Sequence, residues 1–268
     1  MESSTSPLNP DHPLDDQDVR AIVRLLSDVA AESGAVNRKR EILMEGLCRL
    51  IDAQAWLWAA APSLVPGQQP VYFYHQLGGL QPEQLPAYLK AVEHPDTGEM
   101  TLPFAQELQK EGTHLTRLRQ QIIPDARFLS SPANKLWREA GLGPLILSFR
   151  PLEKGAMSSV GIYRHLDKLP FTQRESKIVH ILLTEVDWLH MDGLPVEESR
   201  SLPALSPRCR MVFTQLLHGR SRKQIAADLV LSVHTVNDYV KTLFSHFGVR
   251  STPELLARFR VGDGRDTP

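Results

Sequence analysis

Two hydrophobic periods alternate along the chain, and their order predicts its layout. Val19, Ile22, Val23, Leu25, Leu26 and Val29 recur at spacings of three and four, which predicts an amphipathic helix capped at Asp16. A second helix follows over about 37–51, with Ile42, Leu43, Leu47 and Leu50 inward. The period then changes to two. Residues 54–61 place Trp56 and Trp58 on one side, and Val71 to His75 is aromatic and β-prone before Gly78-Gly79. The turn-forming stretch 62–70 makes these two runs a hairpin. Helices are expected near 82–93, 104–110 and 131–140, broken by Pro124-Asp125 and Ser130-Ser131-Pro132. Two more strands, 145–149 and 158–163, flank the turn Glu153-Lys154-Gly155. A last helix over 171–191 opens on a Thr172/Glu175 capping box and aligns Ile178, Val179, Leu182, Val186 and Leu189. This helix is expected to cover the sheet and also to pack against its twin in a homodimer.

The succession of helices, strands, helices, strands and a final helix resembles a GAF- or PAS-like sensor, a small antiparallel sheet covered by helices. The fold class expected is therefore α+β, with this domain at 16–191. A polar, proline-rich tail is expected at 1–15. Asp15-Asp16 lacks the apolar strand that a phosphoacceptor receiver domain places before its acidic pair. Residues 192–204, acidic and proline-containing, read as a linker.

Residues 205–260 predict four short helices, followed by a tail at 261–268. Pro207 suits a first helical position, Val212, Phe213, Leu216 and Leu217 form a stripe, and Gly219 closes the helix. Ser221 with Gln224 makes a capping box, and Ile225, Ala226 and Leu229 face inward. Ser232 caps the third helix, where Val233, Val236, Val240, Leu243 and Phe247 share a face. His234, Asn237, Asp238, Lys241 and Ser245 fall on the opposite face. Thr252-Pro253-Glu254 opens the fourth, with Leu255 and Leu256 inward. A short helix, a tight turn and a helix with one donor/acceptor side form a helix-turn-helix, whose second helix fits the major groove.

This segment resembles the LuxR-type helix-turn-helix family, the carboxy-terminal DNA-binding domain of many bacterial regulators. The resemblance is carried by Leu205-Ser206-Pro207-Arg208, Gly219, Ser221, Lys223, Ile225-Ala226 and Leu229, then Leu231-Ser232, Thr235-Val236, Val240-Lys241 and Gly248-Val249-Arg250-Ser251. Departures fall at Cys209, Gln224, Asn237 and Asp238, where the family favours an acid, glutamate, often lysine, and no anion on the groove face. The last two bear on the target sequence rather than on the mode of binding. The resemblance implies a transcription regulator with double-stranded DNA as partner, RNA polymerase as a further candidate, and the cytoplasm as compartment. Relatives with autoinducer-binding domains offer a neighbouring reading of the first domain within the same layered class.

Charge supports a polyanionic partner. Residues 205–260 hold nine Lys/Arg against three acids, a net +6, which leaves −7 for the rest of a chain whose total is −1. His234, Asn237, Asp238 and Lys241 are the candidate base readers: asparagine pairs with adenine, and aspartate accepts from cytosine N4. Ser221, Arg222, Lys223, Thr235, Tyr239 and Arg250 are candidate backbone contacts, with the helix start at Arg222 and Lys223 favouring phosphate.

The first domain shows no Gly-rich phosphate loop, HExxH or GxSxG, so no enzyme is expected. His75, His94, His114 and His165 lack metal-ligand spacing and read as surface or core-edge residues. Neither metal nor cofactor is expected. Cys48 and Cys209 stand far apart, without a CxxC partner, and read as inert thiols. No apolar run reaches the ~20 residues of a membrane helix, and the N-terminus has no signal-peptide pattern. Trp56, Trp58, Tyr72 and Tyr74 are candidates to line a small-molecule effector pocket. The competing function is a protein-interaction module whose helix-turn-helix no longer binds DNA, an idea prompted by Asn237 and Asp238.

Overall fold

The computed structural model describes residues 13–34, 36–61, 74–191, 205–217 and 219–259. The chain opens on α1 (Asp16–Ala31) and α2 (Val36–Leu50), then β1 (Ala55–Ala61) and β2 (Tyr74–Gly78). Next come α3 (Leu85–Glu93), α4 (Pro95–Glu111), β3 (Leu115–Leu118), α5 (Arg119–Ile122), α6 (Asp125–Ser130) and α7 (Pro132–Glu139). The sheet is completed by β4 (Leu142–Pro151) and β5 (Met157–His165), and α8 (Gln173–Glu185) and α9 (Asp187–Met191) follow. The second region holds α10 (Pro207–Leu217), α11 (Arg222–Asp228), α12 (Val233–Phe247) and α13 (Thr252–Arg258).

Among the described residues, five strands form one antiparallel sheet in the order β2-β1-β5-β4-β3. Helices α2 and α8 cover one face, while α4, α5 and α7 cover the other. This is the expected antiparallel sheet between helices. Because both faces are covered, β1 is buried along its whole length rather than alternating. The hairpin of β1 and β2 is present, with Trp58 opposite Gln76. Gly78 passes against the Trp56 indole, where a Cβ would lie 2.4 Å from Nε1.

Several local expectations shift. The cap of α1 is Asp15, whose carboxylate accepts from the Asp18 N–H at 2.8 Å, one residue before the expected Asp16. Asp18 is itself buried and pairs with Arg174 of α8. The predicted 104–110 helix begins at Pro95, because His94 caps it and Pro103 is accommodated inside. Strand β3 was hidden in a mixed-polarity stretch. The helix expected over 171–191 is two helices, interrupted at Val186 (φ −112°, ψ 73°). Its stripe is spent within the chain: Ile178, Val179, Leu182, Val186 and Leu189 are all buried in the core. The expectation that this stripe packs against a twin is corrected accordingly, whereas Val19 and Val23 of α1 are exposed. The turn 62–70, Val71 to Phe73, the linker 192–204, residues 1–12 and the tail after Phe259 lie outside the described residues.

A buried cation ties together the face under α2 and α8. Arg40 of α2 is fully buried, donates twice to the Leu189 carbonyl (3.3 and 3.0 Å), and reaches Gln76 Oε1 at 3.1 Å. Its guanidinium lies 4.0 Å from the Trp58 ring centroid. A buried charge is tolerated only when its donors are satisfied in this way.

Candidate nucleic-acid interface and cavity

The four carboxy-terminal helices are fixed by local chemistry. Gly219 takes a positive φ of 72° just past α10, as a left-handed C-cap requires. The Ser221 hydroxyl caps Gln224 N–H while Gln224 Oε1 accepts from Ser221 N–H at 2.9 Å, closing the predicted capping box. The turn after α11 forces Val230 to φ 53°, a strained value for a β-branched residue. The Leu231 N–H then donates back to Ala226 at 2.8 Å. Ser232 caps α12, and α13 opens at Thr252 as expected, with Ser251 as its cap. Phe213, Phe247 and Phe259 meet at centroid distances of 4.7 to 5.3 Å in the core. Val236, Val240, Leu243 and Phe247 are buried as expected, but Val233 is 41% exposed because it lies in the first turn.

The opposite face of α12 is open. The side chains of His234, Lys241 and Asp238 are 85%, 74% and 55% exposed. Asp238 does not stand there as a bare anion. Lys241 Nζ donates to it at 3.0 Å and His234 Nε2 lies 3.5 Å away. The Lys241 hydrogen bond holds its carboxyl below the usual aspartate value. Asn237 is half-buried and its Oδ1 accepts from Arg222 Nη1 at 2.8 Å, so a base-reading candidate and a phosphate candidate are joined across the two helices. Arg222, Lys223 and Arg250 are exposed. The Ser221 and Thr235 hydroxyls are engaged in capping, Thr235 Oγ1 lying 2.8 Å from Ser232 Oγ. Tyr239 is half-buried against the core.

The first domain contains a cavity of about 240 Å³. Its walls come from one sheet face: Leu57 and Ala59 of β1, Ser159, Gly161 and Tyr163 of β5, and Leu147 of β4. Helices α3, α6 and α7 add Tyr88, Phe128 and Trp137, and Trp137 stacks on Tyr163 at 5.4 Å. Trp56 and Trp58 do not line it. Strand alternation turns them to the other face, where both are buried. Tyr72 lies outside the described residues, and of Tyr74 only the strand position is described. The aromatic wall comes instead from segments far apart in sequence. The alternation of small Ala59, Ser159 and Gly161 on one face was the available signal.

Behind the sheet, His114, a candidate surface or core-edge residue, is buried beside His180 and His190, each at 5.4 Å between centroids. Burial depresses them, His114 to about 2 and His190 to about 4. Among the described residues no group of three His, Cys, Asp or Glu is placed to hold a metal. Burial raises the thiols of Cys48 and Cys209 to about 12 and about 11, so both stay protonated. Among the described residues no helix is long and apolar enough to cross a membrane.

Two helices around a tight turn, the second presenting an exposed polar face above a buried aliphatic one, define α10–α13 as a helix-turn-helix domain. Residues 203–259 match the family model of the bacterial regulatory proteins, luxR family, and this carboxy-terminal domain belongs to that family. A probable HTH-type transcriptional regulator, GfsR, of Streptomyces halstedii is 36% identical over 75 residues, covering 28% of this chain and 30% of that relative's length. Among solved structures, SdiA in complex with octanoyl-rac-glycerol aligns at a TM-score of 0.44 and 17% identity, covering 92% of this chain and 96% of that one. Escherichia coli SdiA aligns at 0.43 and 15%, covering 90% and 95%.

Proposed function

We propose that the protein is a cytoplasmic, sequence-specific DNA-binding transcription regulator that acts as a homodimer and whose first domain takes a small-molecule effector. The observation that carries the DNA reading is the exposed face of α12, in a domain of the luxR family with a net charge of +6. Arg222 neutralises phosphate, and His234, Asn237 and Lys241 face the groove, Lys241 adding the sequence-independent attraction of its charge to the polyanion. Asp238, held by Lys241 and His234, is compatible with this role, since its charge is already answered within the helix. A two-fold dimer would read two half-sites about one helical turn apart. The effector reading rests on the aromatic-walled cavity.

The test is a DNA selection with the full chain, with the chosen site measured across salt. A palindromic site with a steep negative salt slope supports the proposal. Lys241→Ala should weaken binding to all sequences and reduce that slope by about 1, while Asn237→Ala should relax preference at one position by roughly 1–3 kcal/mol. No selected sequence and no salt dependence would shift the reading to a protein-interaction module.

A further inference from the structure

The cavity is not walled by the first domain alone. Helix α10 packs against β2, and Arg210 on α10 lines the cavity beside Val92 and Glu93 of α3 and Leu77 of β2. Arg210 is buried, 8% exposed. Its Nη1 donates to the Leu205 carbonyl at 2.6 Å. Its Nε, equally buried, has no hydrogen-bond partner among the described residues. A buried N–H of a charged group left unanswered is costly, and native structures seldom retain one without a reason. Burial pushes this guanidinium below its ordinary value and the neighbouring Glu93 carboxyl above its own. A charged side chain of the DNA-binding domain thus stands in the wall of a mostly apolar cavity, with one buried N–H unanswered.

We propose that Arg210 is part of the effector site. A small apolar molecule with a hydrogen-bond-accepting oxygen lays its body against Tyr88, Trp137 and Tyr163 and its oxygen on Arg210 Nε. One ligand then touches the sensor sheet and the helix-turn-helix domain together. This rests on the reading of the cavity as an effector site. Because the ligand bridges the two, its binding and that of DNA are linked, and each changes the other's affinity by the same factor.

The experiment uses the full chain and the fluorophore N-phenyl-1-naphthylamine as a probe of cavity occupancy. Decanamide, which carries an acceptor oxygen, and decane, which does not, are the competitors. Decanamide should displace the probe from the native chain. Arg210→Met should raise the decanamide Kd about tenfold, as expected for one lost hydrogen bond to a charged group, and leave decane unchanged. Arg210→Lys keeps the charge and lacks the Nε–H, so it should behave like the methionine variant; it carries the test if Arg210→Met melts early. Saturating decanamide should shift DNA half-saturation in the native chain and not in Arg210→Met. Equal decanamide affinity in all three chains, or probe binding that decanamide does not displace, overturns the bridge and leaves the cavity reading standing. No probe binding in the native chain overturns the effector reading itself.

Discussion

The two faces of the sheet solve the same packing problem in opposite ways. Across β1, β5 and β4, Trp58, Val160 and Ser148 form one row, and the adjoining row on the other face is Leu57, Gly161 and Leu147. Behind the sheet, bulky side chains and a chain of hydrogen bonds hold the packing. Trp58 Nε1 donates to Ser158 Oγ at 3.0 Å, and Ser158 lies 2.8 Å from His190 Nδ1. His190 Nε2 is 2.7 Å from the Leu183 carbonyl, so it must donate there, and Nδ1 accepts from Ser158. In front, Ala59, Ser159 and Gly161 are too small to meet the helices opposite, and space remains. Small residues produce a void only where nothing long and polar reaches them. If the cavity takes the proposed ligand, the sealed face is the one expected to carry most of the stability.

That division predicts unequal costs of truncation. Trp58→Ala removes a fully buried indole, its hydrogen bond and the ring under Arg40, and should destabilise by about 3–5 kcal/mol. Leu57→Ala, one residue away, enlarges a space that already exists and should cost about 2 kcal/mol, the low end for such changes. Urea unfolding of both variants measures the contrast. Equal losses would mean that the two faces share the load.

The sealed face should also make the protein sensitive to acid. His114 and His190 are neutral in the folded chain, depressed to about 2 and about 4 chiefly by burial, with repulsion added at His114 by His190, His180 and Arg150, and at His190 by Arg150 and Arg40. In the unfolded chain both titrate near 6.5, so the unfolded state takes up protons first as pH falls. Their contribution is fully present above about pH 6.5 and is lost below it, at up to about 1.4 kcal/mol per pH unit for each residue. With both residues titrating, a loss on the order of 4 kcal/mol is expected by pH 5. His190→Gln should flatten this dependence, as read from unfolding midpoints between pH 7 and 5. A native-like slope in that variant would remove His190 from the cause.

The two halves of the molecule were not equally legible in the sequence. The helix-turn-helix was, because its determinants are local: Ser221 and Gln224 are three residues apart, and Val236, Val240, Leu243 and Phe247 lie on one helix. The Arg222–Asn237 hydrogen bond was missed because it joins two helices. In the first domain the strands of high β-propensity were readable, but the cavity was placed on the wrong face. Aromatic alternation at Trp56 and Trp58 marks a buried side, not an empty one. The cavity wall is drawn from residues such as Tyr88, Trp137 and Tyr163, brought together by long-range pairing. His114, His180 and His190 are likewise assembled by the sheet and α8–α9, with no spacing that announces them.

The smallest expected effect tests whether the open face is open because of a single missing methyl group. Gly161 sits between Leu57 and Leu147, and a Cβ there would come within 2.9 Å of Tyr163 Oη and 3.2 Å of its ring. The obstacle is the end of a side chain rather than backbone, so the tyrosine can swing aside. Replacing glycine within a strand also recovers about 0.5–1 kcal/mol of chain entropy and propensity. These contributions oppose each other, and Gly161→Ala should change stability by less than about 1 kcal/mol. Its effect on the cavity has no such offset: the new methyl and the displaced tyrosine both intrude on the space a ligand would use. Binding of N-phenyl-1-naphthylamine should therefore weaken several-fold while the unfolding midpoint barely moves. A large loss of stability with unchanged binding would reverse the comparison, making this face part of the load-carrying core and the cavity an incidental gap in it.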